Sequence, residues 1–249
     1  MRLFLHELRN QQRLFWRSRE SAFFTFLLPI GFLVLLGSVY GDRTIDGVRG
    51  ASYLLAGMLG YGIVSTAFAG LAINLVIRRE SGVLKRVRGT PLPAAAYLAA
   101  AIASTLVVIA IQTVVQILIG RYLIDASLPA APGAFAVALL LGAAAFAALG
   151  LAMTAAVRSG EGSSAALTAV YLPMTFISGS FFSVDTMPGF LQAIADVLPL
   201  TYLLRFIRSA FIDGGGLGSS LTPIAVLAGW GAVGVVVALR TFRWEPRAA

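Results

Sequence analysis

Arg78, Arg79, Glu80, Lys85, Arg86 and Arg88 crowd into one short stretch, Arg78-Arg79-Glu80-Ser81-Gly82-Val83-Leu84-Lys85-Arg86-Val87-Arg88-Gly89-Thr90-Pro91-Leu92-Pro93. It holds five of the nineteen basic residues, including the only lysine, in a chain whose charged fraction is 12%. Such groups support charge pairing and docking rather than bond-making. Gly82, Val83, Leu84 and Val87 interrupt the charges with apolar groups, as suits a short surface helix that docks onto something. The charges alone would also serve as a topology signal. Catalysis finds little elsewhere: there is one histidine, no cysteine, and no pair of carboxylates inside an apolar run. No catalytic residue and no metal-ligand set is therefore assigned. Ser159-Gly160-Glu161-Gly162-Ser163-Ser164 comes nearest to a phosphate cradle, but it lacks the lysine of a P-loop and follows no strand. Energy for any uphill movement must come from a partner.

The elements around this stretch are set by hydrophobicity. Apolar residues make up 58% of the 249, and mean hydropathy is +0.86. Most fall in runs of about twenty, the length of a helix that crosses a bilayer. An all-α integral membrane protein with six transmembrane helices is expected, at about 21–40, 51–77, 94–119, 133–157, 164–182 and 221–239. Pro29 should kink the first span. The net charge of +8 would suit nucleic acid in a soluble protein. Its distribution here speaks for topology instead, and no nucleic-acid partner is expected. Six spans put both termini on one side, and fourteen of the nineteen Lys and Arg residues lie on that side. Both termini are thus expected in the cytoplasm, with the basic stretch beside them.

Residues 1–20 are neither a signal peptide nor a span. At 100° per residue, Arg2, His6, Arg9, Arg13, Arg17 and Glu20 share one face, and Phe4, Leu5, Leu8, Phe15 and Trp16 gather opposite, the pattern of a helix in the membrane interface. Within the spans, Gln112 and Gln116 share a face, where they could bond a neighbouring helix or touch a substrate. Asn74, Thr154, Thr168 and Thr175 are scattered. No Asp, Glu, Lys or Arg lies deep in a span, and no internal repeat is visible, both of which count against an ion-coupled secondary transporter. Ala144, Ala148, Ala152 and Ala156 form a small-residue ridge for close helix packing. Residues 183–220 are too interrupted to cross. Pro188 and Pro199 bracket a short apolar helix expected as a shallow outer hairpin over 183–200, with 201–208 climbing back along the interface.

The run from Arg79 to Leu92, ending in Thr90-Pro91-Leu92, resembles the signature of type-2 ABC exporter permeases. Met187-Pro188, Leu191-Gln192, Ile194-Ala195, Leu198-Pro199-Leu200-Thr201-Tyr202 and Arg205 are similar to that family's outer re-entrant hairpin. Motif style is nearest the daunorubicin-export and multidrug branch, with Gly89 standing where relatives often carry alanine or a larger residue. The resemblance implies an amino-terminal elbow helix over 1–20 and a permease domain over 21–249. It implies two permease subunits, identical or paralogous, around a central path, with two separate ATPase subunits beneath. ATP and Mg would bind there, and no cofactor on this chain. Residues 78–93 would be the coupling helix, with Arg79, Glu80, Gly82, Leu84, Lys85, Arg86, Arg88, Thr90 and Pro91 in the contact. Leu84 and Val87 would seat in an apolar cleft of the ATPase while Arg86 and Arg88 meet acidic groups. Met187, Pro188, Leu191, Gln192 and Pro199 would form an outer gate. Phe68, Gln112, Gln116, Tyr171 and Phe176 would line the path of an amphipathic or lipophilic cargo leaving a bacterial cell. A non-transporting relative acting as a sensor or assembly partner is the alternative.

Overall fold

The computed structural model describes residues 2–157, 159–242 and 244. Arg158, Arg243 and Arg247, and the side chain of Arg2, lie outside the described residues. Helix α1 (Arg2–Arg17) is followed, across the break at Ser18, by α2 (Arg19–Tyr40), which carries Pro29 without interruption. A two-stranded hairpin follows, β1 (Thr44–Ile45) with β2 (Val48–Arg49). Its turn residues Asp46 and Gly47 both have positive φ, as two-residue hairpins of this kind require. The connection between the first two expected spans thus carries a hairpin of its own.

Helix α3 (Gly50–Ile63), a π-helical segment (Val64–Gly70) and α4 (Leu71–Glu80) run on as one rod. Every residue of α3 is buried, so this rod is the axis of the fold. Short α5 (Val83–Arg88) follows Gly82, whose φ of +70° a side chain would strain. Then come α6 (Ala94–Leu123), α7 (Pro132–Met153), α8 (Gly160–Ile177), α9 (Gly189–Ala195), α10 (Pro199–Phe211) and α11 (Leu221–Thr241).

Among the described residues five helices are long and apolar enough to cross a membrane, and α9 with α10, bent by 81°, makes a sixth if the pair is counted as one span. Helix α8 is outside that set because Gly160-Glu161-Gly162-Ser163-Ser164 occupy its first turn. It nonetheless starts at Glu80, at one end of the central rod, and Gly179, just past its last residue, accepts from Tyr53 near the other end, so α8 and the segment after it run alongside the rod. The span expected at 164–182 is thus displaced toward 160–177.

Small residues decide the packing. Helices α7 and α11 meet where Gly231 lies on Ala145, and Gly234 on Ala148 and Leu149. The expected alanine ridge is therefore rotated: Ala148 is buried, but Ala144 and Ala156 are exposed. A Cβ on Gly57 would collide with the Ser180 carbonyl, which lets α3 touch the segment after α8. Helix α10 is no interfacial arm, since Leu200, Leu203, Leu204, Phe206, Ile207 and Phe211 are all fully buried. Nor does α1 stand free. It presses Glu7 and Gln11 inward, and Gln12 donates to Ser104 on α6, while Leu5 and Trp16 of the expected apolar face stay exposed.

Candidate functional site: foot, chamber and constriction

The basic stretch folds as a foot fixed to the body. Leu84 is completely buried and Val87 packs beside it, so α5 is seated in the chain's own core. This corrects the expectation that Leu84 would insert into a partner. Lys85, Arg86, Arg88, Thr90 and Pro91 face outward, and the Arg86 guanidinium donates to the Ser81 carbonyl. Arg79, only 3% exposed, turns inward instead. Its guanidinium donates to the carbonyls of Thr154 at 2.8 Å and Val157 at 2.7 Å, just past α7. The neighbouring Glu80 carboxylate accepts from the Gly160 amide at 2.5 Å, the first residue of α8. A cation thus meets carbonyls at a helix C-terminus and an anion meets the amide at a helix N-terminus, each favoured by the backbone dipoles. Two adjacent residues hold the α7–α8 connection directly above the foot.

Above them lies a chamber of about 410 Å³ between α1, α2, the π segment, α4, α6 and α8. Its walls come mostly from the parts of these helices nearer the foot, Ser21 to Pro29, Ser65 to Arg78, Ala101 to Val108 and Ser164 to Thr168, with Tyr61 of α3 and Tyr171 farther along. The lining is mixed. Phe24, Leu28, Ile73 and Val108 alternate with Ser65, Asn74, Thr105 and Thr168. The π segment supplies Ser65, Thr66, Ala69 and Gly70, so the helical irregularity coincides with the cavity, as such bulges often do at functional sites.

Tyr61 and Tyr171 are the lining residues farthest from the foot, and beyond them a cluster of rings narrows the interior into a constriction. Tyr61 lies 6.2 Å from both Tyr171 and Phe181; Phe181 stacks on Phe176 at 4.8 Å and meets Phe32 edge-on at 5.5 Å. This constriction joins α2, α3, α8 and the segment after α8. On its far side Arg208 of α10 lies 3.7 Å over the Tyr53 ring and donates to the Gly179 carbonyl at 2.5 Å. In the hairpin, Gln192 donates to the Met187 carbonyl at 2.9 Å and Arg205 pairs with Asp196 at 2.6 Å. Met187, Pro188, Leu191 and Gln192 are at least partly exposed, whereas Pro199 is buried as the first residue of α10. At this same end Arg49 bridges Asp42 and Asp125, and Arg121 also pairs with Asp125. The hydrogen bond and charge of Arg49, with the charge of Arg121, hold the Asp125 carboxyl below the usual carboxylate range.

Of the five expected path residues, only Tyr171 lines the chamber, and Phe176 joins the constriction. Phe68 is 4% exposed and turned into the interior beside α7. Gln112 is spent on helix packing: it accepts from Thr66 and donates to the Thr25 carbonyl. Gln116 is equally buried behind Gly62. Residues that reasoning passed over, Tyr61, Ser65, Phe32 and Phe181, build the site instead. The one available signal was that Asn74, Thr168 and Tyr171 all lie toward the basic end of their spans.

Comparison with known proteins agrees with this architecture. Residues 2–212 match the family described as ABC-2 type transporter. The chain is 27% identical over 225 residues to the daunorubicin resistance ABC transporter permease protein DrrB1 of Streptomyces coeruleorubidus, covering 87% of this chain and 77% of that protein. It is 22% identical over 188 residues to the inner membrane transport permease YadH of Escherichia coli K12, covering 73% and 71%. A foot on one side, a chamber above it and a hairpin opposite are thus parts of a multi-pass membrane subunit that works with separate ATPases, and the chain belongs to the ABC-2 type transporter family.

Proposed function

We propose that this permease subunit exports amphipathic or lipophilic compounds from a bacterial cell through the cytoplasmic membrane, with both termini and the foot in the cytoplasm. The observation that carries this reading is the position of the chamber. Most of its lining lies on the foot side, with Tyr61 and Tyr171 at its far limit and a cluster of rings beyond them, an arrangement suited to loading from within. The concentration of basic residues at the foot supports the orientation. A daunorubicin resistance permease among the relatives supports a drug-like or antibiotic-like cargo.

Two copies of the chain, or this chain and a paralogue, would enclose the path, and two ATPase subunits would bind beneath. In this reading Arg86 and Arg88 meet acidic groups of the ATPase, and Leu84 makes α5 move as part of the body. Displacement of the foot passes through Arg79 to the end of α7 and through Glu80 to the start of α8. Helix α8 carries Tyr171 and Phe176, so its movement opens the constriction toward the hairpin, which limits backflow between cycles.

The test is reconstitution of the chain with its ATPase in proteoliposomes of defined orientation. ATP added on the foot side should drive lipophilic dyes toward the hairpin side. Movement in the opposite sense, or transport without nucleotide, would overturn the proposal.

A further inference from the structure

The electrostatics of the chamber wall select among cargoes. Among the described residues that line it there is no Asp or Glu, and Arg78 is the only charged one. Glu7, on α1, accepts hydrogen bonds from Gln11 at 2.6 Å and Asn10 at 3.5 Å. Arg78 gives one N–H to the Tyr97 hydroxyl at 2.8 Å, and its other N–H groups have no partner among the described residues. Several polar wall groups spend their donors inward: Thr25 on the Ser21 carbonyl, Ser65 on Gly62, Asn74 on Gly70 and Thr105 on Ala101. Their oxygens are left to accept from a guest.

Such neutral acceptors suit hydroxyl or ammonium groups alike, so they do not discriminate. A full charge does. Arg78 stands at the foot end of the chamber, and for a head bound beside it salt screening is weak, with a Debye length of about 8 Å at physiological ionic strength. An organic cation would meet an uncompensated like charge, and an anionic head would meet the free guanidinium N–H groups. Resting on the chamber as the cargo site, we propose that its preferred ligand is an amphiphile with an anionic head held at Arg78, followed by uncharged hydroxylated amphiphiles, with organic cations disfavoured, a charge preference opposite to that of the amine daunorubicin.

The test uses the full chain in phosphatidylcholine nanodiscs and three probes sharing one dansyl-labelled undecyl tail: a carboxylate, an alcohol and a trimethylammonium. The carboxylate should bind about tenfold more tightly than the ammonium, as one poorly screened charge implies. Arg78→Gln should reduce carboxylate affinity to that of the alcohol and leave the alcohol unchanged. Asn74→Asp should strengthen ammonium binding. Phosphatidylglycerol in the disc displaces the carboxylate probe if bilayer lipid is a ligand, whereas displacement only by soluble dodecanoate identifies a free amphiphile; both support the charge preference. Equal binding of all three probes, abolished by the chamber-filling Thr168→Trp, would overturn the preference while leaving the chamber as the site. An equal loss of all three in Arg78→Gln would show a structural role and also overturn it. Binding insensitive to Thr168→Trp would overturn the chamber itself, and the preference with it.

Discussion

The Glu80 carboxylate and the Gly160 amide, eighty residues apart, share a 2.5 Å hydrogen bond that ties the end of the central rod to the start of α8. With Arg79 gripping the carbonyls of Thr154 and Val157, it makes the foot and the α7–α8 connection one mechanical unit. Helix α8 is otherwise lightly held. Its buried positions, Ser163, Leu167 and Thr175, form a single stripe, so it is free to follow a pull at its end.

Glu80→Ala should therefore separate fuel use from movement. ATPase binding should persist, while cargo-stimulated hydrolysis and efflux in proteoliposomes fall by about tenfold, the loss expected of a charge-assisted hydrogen bond of about 1.5 kcal/mol. Efflux at the normal rate would mean that the contact is passive.

Charge and seating in the foot should fail differently. Arg86→Glu with Arg88→Glu should abolish co-purification of the ATPase while the permease still inserts into the membrane. Leu84→Ala should lower the stability of the permease by about 2–4 kcal/mol, because a fully buried leucine is lost from the core. A Leu84→Ala protein as stable as the parent, yet unable to bind ATPase, would restore Leu84 to the partner interface.

Two glycine substitutions make a matched pair. Gly57→Ala drives a methyl into the Ser180 carbonyl and should sharply reduce folded protein in detergent. Gly31→Ala meets nothing within 4 Å and should be neutral or slightly stabilising. Size-exclusion profiles of the two variants decide the point; equal profiles would contradict the close approach.

The Asp125 cluster predicts a simple pH response. Because the folded carboxyl titrates below its unfolded counterpart, its stabilising contribution is complete above the ordinary carboxylate range, near pH 4. That contribution fades as pH falls through the lowered folded value. Unfolding temperature should be insensitive to this group between pH 5 and 8 and should drop below about pH 4. Asp125→Asn should lower the plateau and shrink the acid-dependent drop, which differential scanning fluorimetry would record.

The constriction should leak when thinned. Phe181→Ala removes the ring that Phe32, Tyr61 and Phe176 all touch. Liposomes carrying it should release small lipophilic dyes without ATP faster than the parent does. An unchanged rate would place the barrier elsewhere.

Much of the fold could be read from composition. Lipid tolerates only satisfied backbone and apolar surface, so most spans announce themselves as runs of about twenty residues. The foot was equally plain, since charge is rare in this chain. The chamber was not. Helix α3 is buried on every side, so it offers no periodicity from which to infer an inward face. Arg208 misled for a related reason: a guanidinium near an end of a span suggests an interface, yet this one folds over Tyr53 and holds Gly179. Asp46-Gly47 was a legible turn signal set among polar residues that invited a plainer description.

Val64–Gly70 wind more loosely than the helix on either side. The wider turn absorbs one residue more than an α-helix would, so removing one here would let the rod close into regular α-helix with the faces downstream little rotated. The same deletion in α3 or α4 would turn Arg79 and Glu80 by about 100°, away from their acceptor and donor, without either having been altered. Chain length is consequently constrained in the regular parts of the rod, and homologous chains should accommodate a one-residue deletion at this segment rather than beside it.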